Sequence, residues 1–193
     1  MDILQRGQLD IAAILESEDA FELVPVLVNR PRDAAAAVMI RETINKALMG
    51  LQKKGGKAGL AVMVMMPDAE VPNANSASVR FENLFTVRVL ENPVINEGAN
   101  GTGISAEQCA INVLKALHRR SAGGNPFYPD KKAIREGAAP EGSIAYDVVL
   151  RQDATEDKRS FVTTPGLSLA EPLLTITCPT SGAAIRYTLD GTF

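Results

Sequence analysis

The sequence predicts an α+β fold in which helices pack on a mainly antiparallel sheet. Residues 60–66 form an unbroken apolar run, which is typical of a strand covered on both faces. Residues 79–89 alternate between apolar and polar, which is typical of a strand with one buried face. Helical patterns lie on both sides of this pair. The two runs therefore predict a long antiparallel hairpin at the centre of the sheet.

The segment between the two runs, residues 67–76, predicts a mobile hairpin tip. It is rich in turn-forming residues and contains Pro67 and Pro72. Proline has no backbone N–H to donate to a ladder, so we expect the pairing to stop before this segment.

Three elements are predicted before the hairpin. Leu4, Ile11, Ile14 and Leu15 recur at near-helical spacing and predict a first helix over residues 2–16. The β-branched run at 22–29 predicts a strand, and its proline places that strand at a sheet edge or at its own start. A second helix over residues 34–51 follows Asp33, a residue type that caps helix N-termini.

Beyond the hairpin, residues 92–103 predict a flexible loop because they are rich in Asn and Gly, which tolerate positive φ. Ser105 with Gln108 three residues later has the pattern of a capping box and predicts a helix ending near His118. Short strands are predicted within residues 132–135 and over 144–150. The element order up to this point is α-β-α-β-β-α-β, an α+β order.

Composition changes after the last of these strands. We predict an α+β domain over residues 1–152, a polar linker over 153–163 and a short C-terminal β appendage over 164–193. Two strands, 173–178 and 184–189, are expected in the appendage. A hairpin of two strands is marginal in water, so the appendage must use a neighbouring surface.

Charge and composition exclude several classes of function. The net charge of -3 and the pI near 5.3 argue against nucleic-acid binding, which needs a concentrated basic surface. Two cysteines, Cys109 and Cys178, are too few for a disulfide framework or a structural zinc site. The N-terminus lacks a signal-peptide pattern, and the longest apolar run is far short of the roughly 20 residues that span a bilayer. We therefore expect a protein made in the cytosol without a membrane partner.

The sequence offers no pattern of catalytic or cofactor-binding residues. Cys109 and the single histidine, His118, lie nine residues apart on one predicted helix. That spacing is about 13 Å at 1.5 Å per residue, too far for a nucleophile and its base. The glycines at 98, 101 and 103 do not have phosphate-loop spacing, and the acidic residues do not have the spacing of a calcium loop. We expect neither enzymatic activity, nor a cofactor, nor a metal.

One stretch resembles a known family. Val87-Arg88-Val89-Leu90-Glu91-Asn92-Pro93, followed by Asn96, Gly98 and the capped helix at Ser105, resembles the tail terminator (minor tail) proteins of long-tailed phages. The resemblance covers roughly residues 1–150 in element order. It implies a virion structural protein, assembled in the host cytoplasm, that forms a homo-oligomeric ring, a hexamer, on the tail tube. Such a ring stops tube polymerisation and docks the head connector.

A second resemblance lies at the C-terminus. Residues 172–192 contain Gly-x-x-Ile-x-Tyr-Thr-x-Asp-Gly-Thr and resemble the chitobiase/hexosaminidase C-terminal immunoglobulin-like module. The family pattern continues past Asp-Gly-Thr, whereas this chain ends at Phe193. We therefore interpret the segment as a truncated module, or as one of which only the first hairpin is kept.

The expected function is that of a tail terminator whose partners are itself, the tail tube protein and the head–tail connector. The hairpin tip and the 92–103 loop are predicted to become ordered on contact with neighbours. The predicted assembly interface contains seven polar residues: Asp68, Glu70, Asn73, Asn75, Asn96, Glu97 and Asn100. Two alternatives remain open, namely a head–tail joining or neck protein of similar fold and a carbohydrate-binding accessory protein.

Overall fold

A computed structural model describes residues 3–30, 33–50, 57–73, 78–121, 125–157, 166–170 and 173–177. Side chains are described for residues 4–30, 33–50, 57–68, 82–121 and 125–153. The chain divides into two compact units, residues 1–70 with 82–154 and residues 71–81 with 155–193.

The elements up to the hairpin are helix α1 (Ile3–Glu16), a 3-10 helix (Asp19–Phe21), strand β1 (Val26–Val28), helix α2 (Ala34–Leu48) and strand β2 (Leu60–Val64). They continue with β3 (Asp68–Asn73), β4 (Ser78–Glu91), α3 (Pro93–Asn96), α4 (Ala106–Leu117), β5 (Tyr128–Glu136) and β6 (Ile144–Asp157). The last two strands are β7 (Gly166–Ala170) and β8 (Leu173–Thr177).

The main sheet has the strand order β1-β2-β4-β6-β5, and β3 also pairs with β4. Strands β2 and β4 are antiparallel, in a register that runs from Leu60 opposite Glu91 to Val64 opposite Val87. Strand β1 lies at one edge and is parallel to β2. The predicted α+β class and mainly antiparallel sheet are confirmed. The pairing of the two central runs is also confirmed.

The hairpin tip differs from the prediction. Asp68–Asn73 forms strand β3, which contains Pro72 and pairs with β4. The expectation that the prolines prevent a ladder in this segment was therefore wrong. A strand with a single partner tolerates proline, because the ring nitrogen can lie on the unpaired side. Residues 74–77 of the predicted tip lie outside the described residues.

Strand boundaries differ from the prediction in three other places. Strand β1 is limited to Val26–Val28 and begins directly after Pro25. Strand β5 is longer than predicted, and its pairing with β6 shifts register between Pro129 and Ile134. Strand β6 continues to Asp157, so the predicted linker at 153 begins inside a strand. Pairing with neighbours extends a polar segment that local composition alone would leave unpaired.

One of the two predicted C-terminal strands lies within the described residues, and it pairs with a segment before it. Strands β7 and β8 are antiparallel, with Gly166 opposite Thr177 and Ala170 opposite Leu173. The predicted strand at 173–178 is thus present, but its partner is residues 166–170, which had not been predicted as a strand. The predicted strand at 184–189 lies outside the described residues.

The first face of the sheet, which we call the α1–α4 face, carries the larger core. Alternate residues of β2, β4 and β6 point to this side and pack against α1 and α4. The fully buried apolar sheet residues described on it are Leu60, Val62, Val64, Phe85, Val87, Val89, Val148 and Leu150. The helices contribute apolar side chains from α1 and α4, including Ile11, Leu15, Val113 and Leu117.

Gly7 lets α1 approach the sheet closely. A Cβ atom at this position would lie 2.3 Å from Cζ of Phe85, well inside contact distance. The Phe85 ring also meets the Phe127 ring edge-to-face, with 5.6 Å between centroids. The glycine that weakens the helical pattern of α1 in the sequence is therefore required by the packing of this core.

The second face, which we call the α2 face, carries a smaller core. Its buried apolar residues are Leu48, Met63, Leu90 and Ala145, with Ile40, Ile44 and Met65 partly buried beside them. The Asp33 carboxylate caps α2 as predicted, because its Oδ1 accepts a hydrogen bond from the Ala36 backbone N–H at 2.8 Å. Only Ala47 and Leu48 of α2 are buried.

Candidate functional site

The passage from β4 to α4 is organised by Glu91. The Glu91 side chain is 6% exposed at the end of β4. Its Oε2 accepts a hydrogen bond from the backbone N–H of Ala106 at 2.6 Å, in the first turn of α4. A carboxylate at a helix N-terminus pairs with a free amide and with the positive end of the helix dipole. Glu91 thus fixes the start of α4 against the end of β4.

Asn96 links the remaining parts of this passage. Its Nδ2 donates to Oε1 of Glu91 at 2.6 Å and to the carbonyl of Ile104 at 2.8 Å. Its Oδ1 accepts from the backbone N–H of Thr102 at 3.0 Å. Asn96 is 5% exposed, so it belongs to the interior of the loop. The Asn96 amide is thus engaged within the chain, and its predicted place in an assembly interface stays a prediction.

The rest of the loop at residues 92–103 is also held by contacts within the chain. Helix α3 lies within it, capped by Asn92, whose Oδ1 accepts from the Ile95 N–H at 3.4 Å. Gly101 lies so close to Asn96 that a Cβ atom would fall 1.6 Å from the Asn96 carbonyl oxygen. The loop is thus held by hydrogen bonds and close packing within the chain, and its ordering on contact with a neighbour stays a prediction.

The predicted cap of α4 is confirmed in one half only. The Ser105 hydroxyl accepts from the backbone N–H of Gln108 at 3.2 Å, as in a capping box. The Gln108 side chain, however, donates to Oδ1 of Asn112 at 3.1 Å on the next turn. The Glu91 carboxylate supplies the second acceptor at this helix end.

The other predicted interface residues lie in different environments. Asp68 is exposed at the start of β3, and Glu97 and Asn100 are exposed in the loop after β4. Glu70 and Asn73 belong to β3, with side chains outside the described set. Asn75 lies outside the described residues.

A groove lies between α2 and the α2 face of the sheet, and we call it the α2 groove. It encloses a volume of about 350 Å³. Its apolar walls come from α2 and the sheet, and Ala138 and Pro140 close it on the side of the β5–β6 connection. The residues that line it also include Ile40, Ile44, Met63, Leu90, Arg41 and Arg88.

Arg88 at this groove is held by Asp147. The guanidinium donates from Nε to Oδ1 of Asp147 at 2.7 Å and from Nη2 to Oδ2 at 2.9 Å. The Arg88 side chain is 19% exposed and that of Asp147 is 7% exposed. The hydrogen bond to Asp147 raises the pKa of Arg88, against the opposing effect of burial. The two hydrogen bonds tie β4 to β6.

Cys109 and His118 lie apart, as their spacing predicts. Cys109 is 2% exposed within the core of the α1–α4 face. Burial, and then the nearby Glu91 carboxylate, raise the pKa of the Cys109 thiol to about 12. His118 is the C-cap residue of α4, and its ring meets the Tyr128 ring edge-to-face with 6.5 Å between centroids.

Two further observations concern the described residues. Within them, no group of three or more His, Cys, Asp or Glu side chains is arranged to hold a metal ion. None of the helices that the structure describes is both long and apolar enough to cross a membrane.

Sequence reasoning missed the Arg88–Asp147 pair and the groove above it. The alternation of β4 correctly placed Arg88 on the side opposite Val87 and Val89. Its partner lies 59 residues further along the chain, and no local pattern indicates such a pairing. Comparison with known proteins adds no assignment, since no family model matches the sequence and no curated protein is significantly similar to it.

Proposed function

We propose that this chain is a tail terminator subunit of a long-tailed phage. In this proposal it acts without catalysis, as a homo-oligomeric, hexameric ring on the tail tube. The ring stops tube polymerisation and offers a docking surface to the head connector.

One observation carries the proposal. The residues that resemble the family are the residues that build the passage from β4 to α4. Glu91 and Asn96 bond to each other, Asn92 caps α3, and Ser105 caps α4. The side chains of these residues make separate hydrogen bonds that together shape the passage. The residues on which the resemblance rests thus have structural roles in this chain, and this supports the proposal.

The arrangement of the sheet is compatible with ring formation. A closed ring needs two different complementary surfaces on each subunit. One side of the sheet is closed by α1 and α4, whereas α2 covers the other with much of its own surface exposed. The subunit thus has two sides of different character.

The exposed members of the predicted interface supply contacts in this proposal. Asp68, Glu97 and Asn100 are available at the surface. The hydrogen bond of Asn96 and the close approach of Gly101 to it fix the backbone of this loop. Glu97 and Asn100 are therefore exposed on a loop of fixed shape. Such a loop loses little conformational entropy when it contacts the tube or a neighbouring subunit.

The test is tail length in a phage whose only copy of this protein is a variant. We expect Asp68→Lys combined with Glu97→Lys to give tails of irregular, extended length by electron microscopy. Substitution is preferable to deletion of the tip, because β3 pairs with β4. The matched control is Lys132→Glu, a charge reversal at an exposed position of β5.

Two outcomes would count against this function. Tails of normal length on infectious particles would contradict it. Tails of normal length that fail to join heads would assign the chain to the head–tail joint, the alternative function.

A further inference from the structure

We propose that the α2 groove receives the acidic turn at residues 16–23 of a second copy of this chain. Repetition of this head-to-tail contact would then close the ring. The inference rests on the proposed function and identifies the two subunit surfaces that it requires.

The groove has an apolar floor and a positive rim. Ile40, Ile44, Met63 and Leu90 provide apolar surface inside it. The charge of Arg88 is balanced by Asp147. Arg41 is exposed at the groove and, among the residues that the structure describes, makes no ion pair. The uncompensated charge at the groove is therefore positive and favours an occupant with carboxylates beside an apolar side chain.

The outer side of α2 extends this surface. Val38 is 52% exposed, Met39 is 68% exposed and Met49 is 59% exposed. Val38 and the C-cap residue Met49 lie on nearly one line along the helix, whereas Met39 lies about 100° further round, away from the groove. The neighbouring Glu42 and Lys46 pair with each other at 3.8 Å, so they leave no net charge on this side.

The turn at residues 16–23 has the complementary properties. Its sequence, Glu-Ser-Glu-Asp-Ala-Phe-Glu-Leu, contains four carboxylates and no basic residue. Glu18 pairs with Arg120, whereas Glu16, Asp19 and Glu22 are exposed. Leu23 is 53% exposed beside them. The turn therefore offers an apolar side chain flanked by carboxylates, which matches the groove.

The turn is also held rigidly. Phe21 is 3% exposed and Val24 is 6% exposed, and both belong to the core of the α1–α4 face. The Ser17 hydroxyl donates to the Ile14 carbonyl at 2.7 Å and closes the end of α1. A fixed turn loses little conformational freedom on docking, which favours association.

The positions of the two surfaces make the contact intermolecular. The turn is anchored in the core of the α1–α4 face, and the groove lies on the α2 face. Since the sheet separates them, one chain cannot bring its own turn to its own groove. A contact between unlike surfaces of two copies is heterologous, which is the type that builds rings.

The test is a charge-reversal pair read out as mass in solution. Arg41→Glu alone and Glu22→Arg alone should each raise the concentration at which the oligomer dissociates, by at least about tenfold. In the double variant, the concentration at which the oligomer dissociates should return most of the way to the wild-type value. Mass photometry and sedimentation velocity over a range of protein concentrations give the measurement. Lys132→Glu, an exposed reversal on β5, should leave the mass unchanged.

Folding is checked separately in each variant. Arg41 and Glu22 are exposed and have no ion-pair partner among the described residues, so circular dichroism and the thermal midpoint should match the wild type. If the single reversals keep the wild-type oligomer, or if the double variant is no better than either single one, the inference is overturned and the ring function stands. A wild-type protein that stays monomeric overturns the inference as well, and the tail-length assay then decides the function independently.

Discussion

The two faces of the main sheet are covered in different ways. On the α1–α4 face, two helices bury a continuous core that includes Phe85, Phe127 and Leu117, each fully buried. On the α2 face, a single helix covers a smaller cluster, and a charged pair, Arg88 with Asp147, takes up part of the surface. Close-packed apolar contact supplies most folding free energy. The α1–α4 face therefore stabilises the subunit, whereas the α2 face leaves surface available for contact.

The largest expected effect is the loss of the Phe85 ring. Phe85→Ala removes a fully buried ring that packs on Gly7 and Phe127, and a cavity remains. We expect the free energy of unfolding to fall by about 3–5 kcal/mol, measured by urea denaturation. Met39→Ala on the exposed side of α2 is the matched control, and we expect a change within about 0.5 kcal/mol. Equal losses in the two variants would show that the faces are equally important for stability.

The next effect concerns the charged pair on the α2 face. Arg88→Leu leaves the largely buried Asp147 carboxylate without its partner, and we expect a loss of about 3 kcal/mol in urea denaturation. The double variant Arg88→Leu/Asp147→Leu should recover most of this loss, because no unpaired charge then remains. Lys46→Ala, which breaks the exposed pair with Glu42, should change stability by less than about 0.5 kcal/mol. A double variant no more stable than Arg88→Leu would contradict this account.

A smaller effect of opposite sign is expected at Asn83. It lies on β4 two residues before Phe85 and is fully buried, and neither Oδ1 nor Nδ2 has a hydrogen-bond partner among the residues that the structure describes. An unpaired buried amide costs free energy, so Asn83→Leu should increase the free energy of unfolding by about 1–2 kcal/mol. The thermal midpoint provides the measurement. A lower midpoint would mean that the Asn83 amide makes a favourable contact, and that the α1–α4 face is less apolar than described.

The smallest effect at neutral pH concerns Cys109 in the same core. Its thiol pKa is raised from 9.0 to about 12, so the folded protein holds this proton more tightly than the unfolded chain. The resulting stabilisation is fully present below pH 9 and is lost as pH rises from 9 towards 12. Between pH 9 and pH 12, the free energy of unfolding should therefore fall less in Cys109→Ala than in the wild type.

Thiol reactivity gives a second readout for Cys109. In a Cys178→Ser background, a disulfide reagent at pH 8 should react with the native protein far more slowly than with the protein in urea, since Cys109 is 2% exposed. Rapid reaction without denaturant would show that the core of the α1–α4 face opens readily.

Local patterns predicted those parts of the fold that depend on neighbours in sequence. The Asp33 and Ser105 caps involve residues three positions away, and both are present. The alternation of β4 assigned Phe85, Val87 and Val89 to a buried side without further information. These features depend on side-chain period and capping chemistry, which the sequence displays directly.

Other features depend on distant partners and could not be predicted in this way. Strand β3 forms because β4 is there to pair with it, despite Pro72. The α2 groove requires β2, β4, α2 and the β5–β6 connection together. Long-range pairing therefore determined where sequence reasoning failed.

The most direct test of this account is the mass of the purified wild-type chain in solution, followed by negative-stain imaging. The proposed association through two unlike surfaces predicts a closed ring whose mass is a whole multiple of 20.6 kDa, and the proposed tail-terminator function predicts six-fold symmetry in the images. A chain that sediments as a stable monomer at every protein concentration would contradict the account.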